Sequence, residues 1–239
     1  MNESLQIISH LNLAVAFIPV LIVLVILYRW SLDVGNAVYS VIRMLVQLLL
    51  VGYVLTTIFA AESAWLVMVV MLIMVIAASW IALGTVKKKQ RILFRHAFVA
   101  ILVGGGATLI LVTQGVVNLD PWFEPKYMIP LAGMIFANSM NSVSLAAERL
   151  NAELQREVEY TKARTIAFNA AFIPVVNSLF AVGLVALPGM MTGQILSGVS
   201  PIIAAHYQIV VMCMIFGSAG LSTACFLHLS KSIFYENTV

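Results

Sequence analysis

Apolar residues run along this chain in long blocks, with polar residues gathered between them. Seven blocks approach the roughly 20 residues that a helix needs to cross a hydrocarbon core. They lie at about 8–28, 37–60, 64–84, 97–116, 127–146, 166–187 and 207–229. Inside a bilayer each backbone polar group must find its partner within the chain, which leaves helices or a closed barrel. The run from Trp65 to Trp80 shows no two-residue alternation, so it reads as helix rather than barrel strand. The pattern predicts an all-α integral membrane protein of about seven transmembrane helices, forming a single transmembrane domain over 1–239. No Lys or Arg precedes Arg29, so the first block reads as a retained span rather than a cleaved leader.

Three segments between the blocks have patterns of their own. Residues 118–127 read NLDPWFEPKY, with Trp122 and Tyr127 suited to a membrane–water boundary. Residues 148–164 read ERLNAELQREVEYTKAR and predict a helix. Leu150, Leu154 and Val158 recur there at i, i+4 and i+8 as one apolar stripe, and Arg149 and Glu153 pair at i, i+4 on the other face. A helical extension packing on its neighbours and a docking helix for a cytosolic partner both fit that stripe. Residues 187–208 are apolar but cut by Pro188, Gly189, Gly193, Gly198 and Pro201. That predicts a broken segment between spans six and seven, either an external turn or a re-entrant piece shielded by protein or a water-filled cavity.

Composition and charge sharpen this picture. Hydrophobic residues make up 62% and charged residues 10% of the 239, with mean hydropathy +1.03. Those values exclude a water-soluble globular enzyme, a nucleic-acid-binding domain and a disordered chain. The net charge of +3 follows from sidedness. Arg29 follows the first span. Lys87, Lys88, Lys89, Arg91 and Arg95 follow the third. Arg149, Arg156, Lys162 and Arg164 follow the fifth, and Lys231 follows the seventh. Only Lys126 lies on the opposite side, and Arg43 sits inside the second span. The positive-inside rule then puts the N-terminus outside and the C-terminus in the cytoplasm. The basic run 87–95 can also meet anionic lipid headgroups.

The spans hold almost no ionisable groups. All ten acids fall in loops or at span ends, which disfavours a carrier driven by a proton or sodium gradient, since such carriers hold the cation on a membrane carboxylate. The last span has no Lys for a Schiff base, which disfavours a rhodopsin-like photoreceptor. Arg43, one turn from Gln47, can reach the headgroups along its aliphatic stem. Asn138 and Asn141 share a face at i, i+3, and Asn169 and Asn177 flank Pro174. Neutral residues of this kind serve as interhelical glue or line a path. Methionines gather in the second half of the chain, where thioethers suit either packing or a soft metal. The four histidines and two cysteines have no metal-ligand spacing. There is no P-loop, HExxH or GxSxG, so the chain does not hydrolyse ATP itself.

Three motifs carry a resemblance. They are RMLVQLLLVGYVLTTIF (43–59), IPLAGMIFANSMNSVSL (129–145) and IPVVNSLFAVGLVALPGMMTGQILSGVSPIIAAHYQI (173–209). Together they resemble the permease subunit of the FetB-type iron-export ABC transporters, a family with plant relatives linked to aluminium tolerance. The likeness covers residues 10–230. It implies a seven-span permease of the bacterial inner membrane, working as a permease homodimer with a separate cytosolic ATPase. ATP and magnesium would sit in that partner, with no cofactor bound by this chain. It also implies export of a metal, with iron the proposed substrate. One departure concerns coupling: the cytoplasmic stretch before IPVVN is shorter than in the family and lacks its Gly-containing turn.

These readings converge on a substrate path. Gln47, Asn138, Asn141 and Asn177 would line it, with Met190, Met191, Thr192 and Gln194 at the outer mouth. Leu150, Leu154 and Val158 would dock the ATPase. Glu148 would collect a metal ion at the cytoplasmic mouth, because iron(II) prefers nitrogen and oxygen ligands that include a carboxylate. The alternative is an ATP-independent channel or carrier that has lost the ATPase contact. A seven-helix sensor without transport is a third reading, and the broken glycine-rich segment speaks against it.

Overall fold

The computed structural model describes residues 9–60 and 63–236. Over those residues the chain is helical, with one isolated backbone bridge between Val182 and Ala186. The predicted start of the first span at residue 8, and Glu3 and Glu62 among the acids, lie outside the described residues. The chain divides into two compact units, Met1–Ala61 and Glu62–Val239.

The first unit holds α1 (His10–Val15), α2 (Ile18–Arg29) and α3 (Val34–Ala60). The Ser9 hydroxyl accepts from the Asn12 N–H and opens α1, as a serine N-cap does. Leu11–Arg29 is together long and apolar enough to cross a membrane. The chain reverses at Ser31 (φ 55°). The Asp33 carboxylate then accepts from the Asn36 N–H at 3.0 Å and opens α3. No residue of α2 is buried, and only Ile58 is buried on α3. Their large apolar side chains face outward, as lipid-facing positions do.

The second unit begins with α4 (Ala64–Ala82). A tight helical turn over Leu83–Lys89 follows, with Val86 leaving helical geometry at φ −118°, ψ 49°. There the chain doubles back into α5 (Gln90–Ile110). The Gln90 side chain donates to the Trp80 carbonyl, and Trp80 meets Phe94 edge-on with ring centres 6.0 Å apart. The apolar stretch Ala64–Val116 is therefore two packed helices, as the sequence predicts, and the basic cluster Lys87–Lys89 lies on the turn between them. A wide helical turn over Leu111–Val116 ends this pair.

The rest comprises α6 (Pro125–Gln155), α7 (Tyr160–Ala181), α8 (Gly189–Leu196), α9 (Pro201–Leu229) and α10 (Lys231–Glu236). α9 packs on α5, α6 and α7 and forms the centre of the unit. Leu93, Ile101, Ile135, Leu150, Met214 and Phe226 are fully buried there. The closest approach is at Gly104. A Cβ on it would stand 2.5 Å from the Ser222 nitrogen, so the α5 and α9 backbones touch. Small residues at such crossings let membrane helices pack by close contact, since lipid offers no hydrophobic drive between them.

The structure redraws several predicted boundaries. The helix expected over 148–164 does not form as one piece. Residues 148–155 continue α6, the chain turns at Arg156–Glu159 with Glu157 at φ 61°, and Tyr160–Arg164 begin α7. Val158 therefore lies beyond the helix that carries Leu150 and Leu154. The sixth span stops at Ala181 rather than 187, because Val182 turns extended and Gly183 takes φ 82°. The seventh starts at Pro201 rather than 207, with proline in its favoured place in the first turn. The broken segment becomes a short helix, α8, followed by a turn at Gly198 (φ 90°).

Candidate functional site

Part of the interior polarity of the second unit ties helices to one another. The Ser222 hydroxyl donates to Ser139 Oγ at 3.0 Å, and Ser139 Oγ donates to the Ser218 carbonyl at 3.3 Å. These bonds tie α6 to α9 beside the Gly104 contact. The buried hydroxyls of Ser79 and Thr113 turn back to carbonyls of their own helices. Met128, Met212 and Met214 are buried filler. Cys213 is exposed and Cys225 half-buried, both as free thiols.

The residues proposed to line a path fall in both units. Gln47 is exposed on α3 in the first unit. On α6, Asn138 is half-buried and its amide donates to the Met134 carbonyl at 2.8 Å, while Asn141 is exposed. Asn177 is exposed on α7. Met190, Met191, Thr192 and Gln194 are all half-buried on α8, which packs against α9. Thr192 donates to the Pro188 carbonyl, which fastens the first turn of that helix. Gln194 Oε1 is buried and has no hydrogen-bond partner. Gln208 on α9 is in the same condition and is almost wholly buried. Gln208 lies near the end of the third resemblance motif, but it is not among the residues expected to line the path.

At the turn joining α6 and α7, Leu150 is fully buried within the fold and Leu154 and Val158 are half-buried. Glu153, expected on the outer face, is 4% exposed. Its Oε1 lies 2.7 Å from Arg149 Nη2 and 3.7 Å from Arg156 Nη1. The contact is Coulombic, since neither Glu153 Oε1 nor Arg149 Nε makes an aligned hydrogen bond. A buried carboxylate needs such partners, because desolvating a lone charge is costly. Glu148 is exposed on α6. Among the described residues no three His, Cys, Asp or Glu side chains gather where they could hold a metal ion, so Glu148 has no companion set of that kind.

A cleft of about 420 Å³ opens between α7 and α9 near the α6–α7 turn. Arg164, Thr165, Asn169 and His228 give it polar walls, and Phe168, Ala224 and Leu227 give it apolar ones. The sequence pattern treats Arg164 only as one of the basic residues that set orientation, and His228 as isolated. They meet because Tyr160, at the start of α7, donates its hydroxyl to the Leu227 carbonyl near the end of α9.

Comparison with known proteins gives this fold a family. The family model described as "Uncharacterised protein family (UPF0014)" matches residues 10–235. The UPF0014 membrane protein slr1647 of Synechocystis is 36% identical, over 79% of each chain. The probable iron export permease protein FetB of Escherichia coli K12 is 33% identical, over 96% of this chain and 93% of its own length. Protein ALUMINUM SENSITIVE 3 of Arabidopsis thaliana is 32% identical, over 93% and 86%. No solved structure matches. A family match across nearly the whole length, on a chain built of membrane-length apolar helices, makes this a multi-pass membrane protein of the UPF0014 family, related to the FetB permease.

Proposed function

We propose that the chain is the permease subunit of an ABC transporter that exports a metal ion, iron being the candidate substrate. Its likeness to the E. coli iron export permease over 96% of its length carries the reading. Seven spans follow if α1 with α2, then α3, α4, α5, α6, α7 and α9 each cross once. Orientation follows from the basic residues, which gather at the α4–α5 turn, at the α6–α7 turn and after α9. The N-terminus is then outside and the C-terminus cytoplasmic, in a bacterial inner membrane. ATP and magnesium belong to a separate cytosolic ATPase, and the unit of transport is a pair of permeases with a pair of ATPases.

In this scheme the ATPase docks at the α6–α7 turn through Leu154 and Val158, with Leu150 holding the turn from within, and through the basic turn before α5. ATP-driven movement at that turn alternates access along a neutral path that includes Gln47, Asn138, Asn141 and Asn177. Met190, Met191, Thr192 and Gln194 stand at the outer mouth, and Glu148 offers a carboxylate at the inner one. Alanine at Asn141 or Gln194 lowers export at unchanged expression; unaltered export would remove those residues from the path.

Purification of the tagged chain from detergent-solubilised native membranes tests the assembly. The expected eluate contains an ATPase with measurable activity, and Leu154→Asp releases it without reducing the yield of permease. A clean permease that still moves metal in vesicles without ATP overturns the ABC reading in favour of a channel or carrier.

A further inference from the structure

α7 and α9 are fastened to one another at two levels. At one, Phe172 stacks on Phe168 at 5.1 Å and meets Phe216 edge-on at 5.0 Å, and its ring lies 3.2 Å from where a Cβ on Gly220 would stand. At the other, the Tyr160 hydroxyl holds the Leu227 carbonyl. Between these levels the two helices leave the 420 Å³ cleft, with the short side chains of Thr165 and Ala224 among its lining. We propose that this cleft binds the phosphoryl headgroup of an anionic phospholipid.

The charge of the cleft has one sign. Arg164 and His228 line it and no carboxylate does. Among the described residues neither is in a salt bridge, and the nearby Glu153 is engaged by Arg149 and Arg156. A guanidinium presents paired N–H donors that match phosphate oxygens. His228 lies in the last turn of α9, where a ring N–H offers a further donor to a phosphate oxygen. Thr165 and Asn169 add a hydroxyl and an amide that donate to headgroup oxygens.

The shape also suits a lipid rather than a soluble anion. Phe168 and Leu227 give the cleft apolar walls, against which a glycerol backbone and the first methylenes can lie. Both α7 and α9 are long and apolar enough to cross a membrane. Arg164 is in the second turn of α7 and His228 is next to the last residue of α9. The cleft therefore opens near the ends of two spans, at the depth where headgroups sit. Basic pockets between transmembrane helices bind acidic headgroups for this reason. The inference needs only that the chain is membrane-embedded, and holds whatever the chain transports and whether or not an ATPase drives it.

Native mass spectrometry of the full chain in mild detergent, titrated with phosphatidylglycerol or phosphatidylcholine, tests the proposal. Phosphatidylglycerol is expected to bind in preference to phosphatidylcholine. A basic side chain near a lipid surface contributes about fivefold in binding, so Arg164→Gln weakens phosphatidylglycerol by about that factor. Adding His228→Gln weakens it further, Arg164→Lys retains most of it, and Lys126→Gln, at the opposite end of α6, changes nothing. Equal binding of the two lipids, or binding unaltered by Arg164→Gln, overturns the proposal. Displacement of the lipid by millimolar inorganic phosphate reassigns the cleft to a soluble anion and overturns it too. If Arg164→Gln lowers the unfolding temperature, Thr165→Val on the same wall and His228→Gln on the other give the same readout.

Discussion

Gly104 and Glu153 show how much one position can decide in this chain. Alanine at Gly104 would force its methyl group into the Ser222 backbone, which has no flexible end to yield. The two helices must separate, and overpacking of this kind costs about 2 kcal/mol. Gly104→Ala is expected to lower the thermal unfolding midpoint in detergent, whereas Gly106→Ala, which meets nothing within 4 Å, is expected to leave it unchanged. At Glu153 the prediction separates two arginines. Arg149→Gln removes the cation 2.7 Å from a carboxylate whose side chain is 6% exposed; the arginine itself is 40% exposed, so breaking this half-buried pair costs about 2 kcal/mol. Arg156 is 69% exposed and 3.7 Å away, so Arg156→Gln costs less than about 1 kcal/mol. Urea or SDS unfolding of the two variants side by side checks the order. Neither position was legible as special. A glycine inside an apolar block looks the same at a helix contact as facing lipid, and i, i+4 spacing identifies the Arg149–Glu153 pair without telling which face is covered.

For the helices, legibility followed the chemistry of their ends. The breaks after α8 were legible because Gly198 and Pro201 mark them, one by adopting φ 90° and one by opening α9, whereas the break at Gly183 was not, since the sixth apolar block runs through it to 187. The turn between α6 and α7 was not legible. Glu157 takes a left-handed conformation that non-glycine residues seldom adopt, and the apolar spacing of Leu150, Leu154 and Val158 runs across the turn as though one helix continued. The cleft between α7 and α9 was hidden for another reason. Arg164 and His228 are far apart in sequence, and only helix packing brings them together. Tyr160 is one fastener of that packing. Tyr160→Phe removes the donor to the Leu227 carbonyl and costs about 1 kcal/mol. Amide exchange in the last turn of α9 is expected to quicken, with α4 and the body of α5 unaffected. Equal exchange in the two proteins would mean that the aromatic pair Phe172 and Phe216 holds α7 to α9 unaided.

At the scale of the molecule, the apolar blocks predicted the helices well, because lipid rather than a protein core selects the residues on their outer faces. The count of crossings and their direction can be tested with single cysteines in a chain whose Cys213 and Cys225 are replaced by serine. An impermeant maleimide added to intact cells is expected to label Lys126→Cys and to spare Lys88→Cys until the membrane is opened. Labelling of both from outside would deny α5 a crossing, and the reverse pattern would invert the protein. The length of α6 carries a further consequence. Its 31 residues span about 46 Å at 1.5 Å per residue; as one of the seven proposed crossings it would exceed about 30 Å of hydrocarbon. The surplus ends at the turn that bears Leu154 and Val158. Pro130, one turn from the opposite end, interrupts the hydrogen bonding that stiffens the rest. A rod with its joint at one end and its handle outside the bilayer is a lever. In the proposed topology a small sideways push on the handle swings Asn138 and Asn141 by a proportionate fraction, so motion made in water would reach the membrane interior through a bend confined to Pro130.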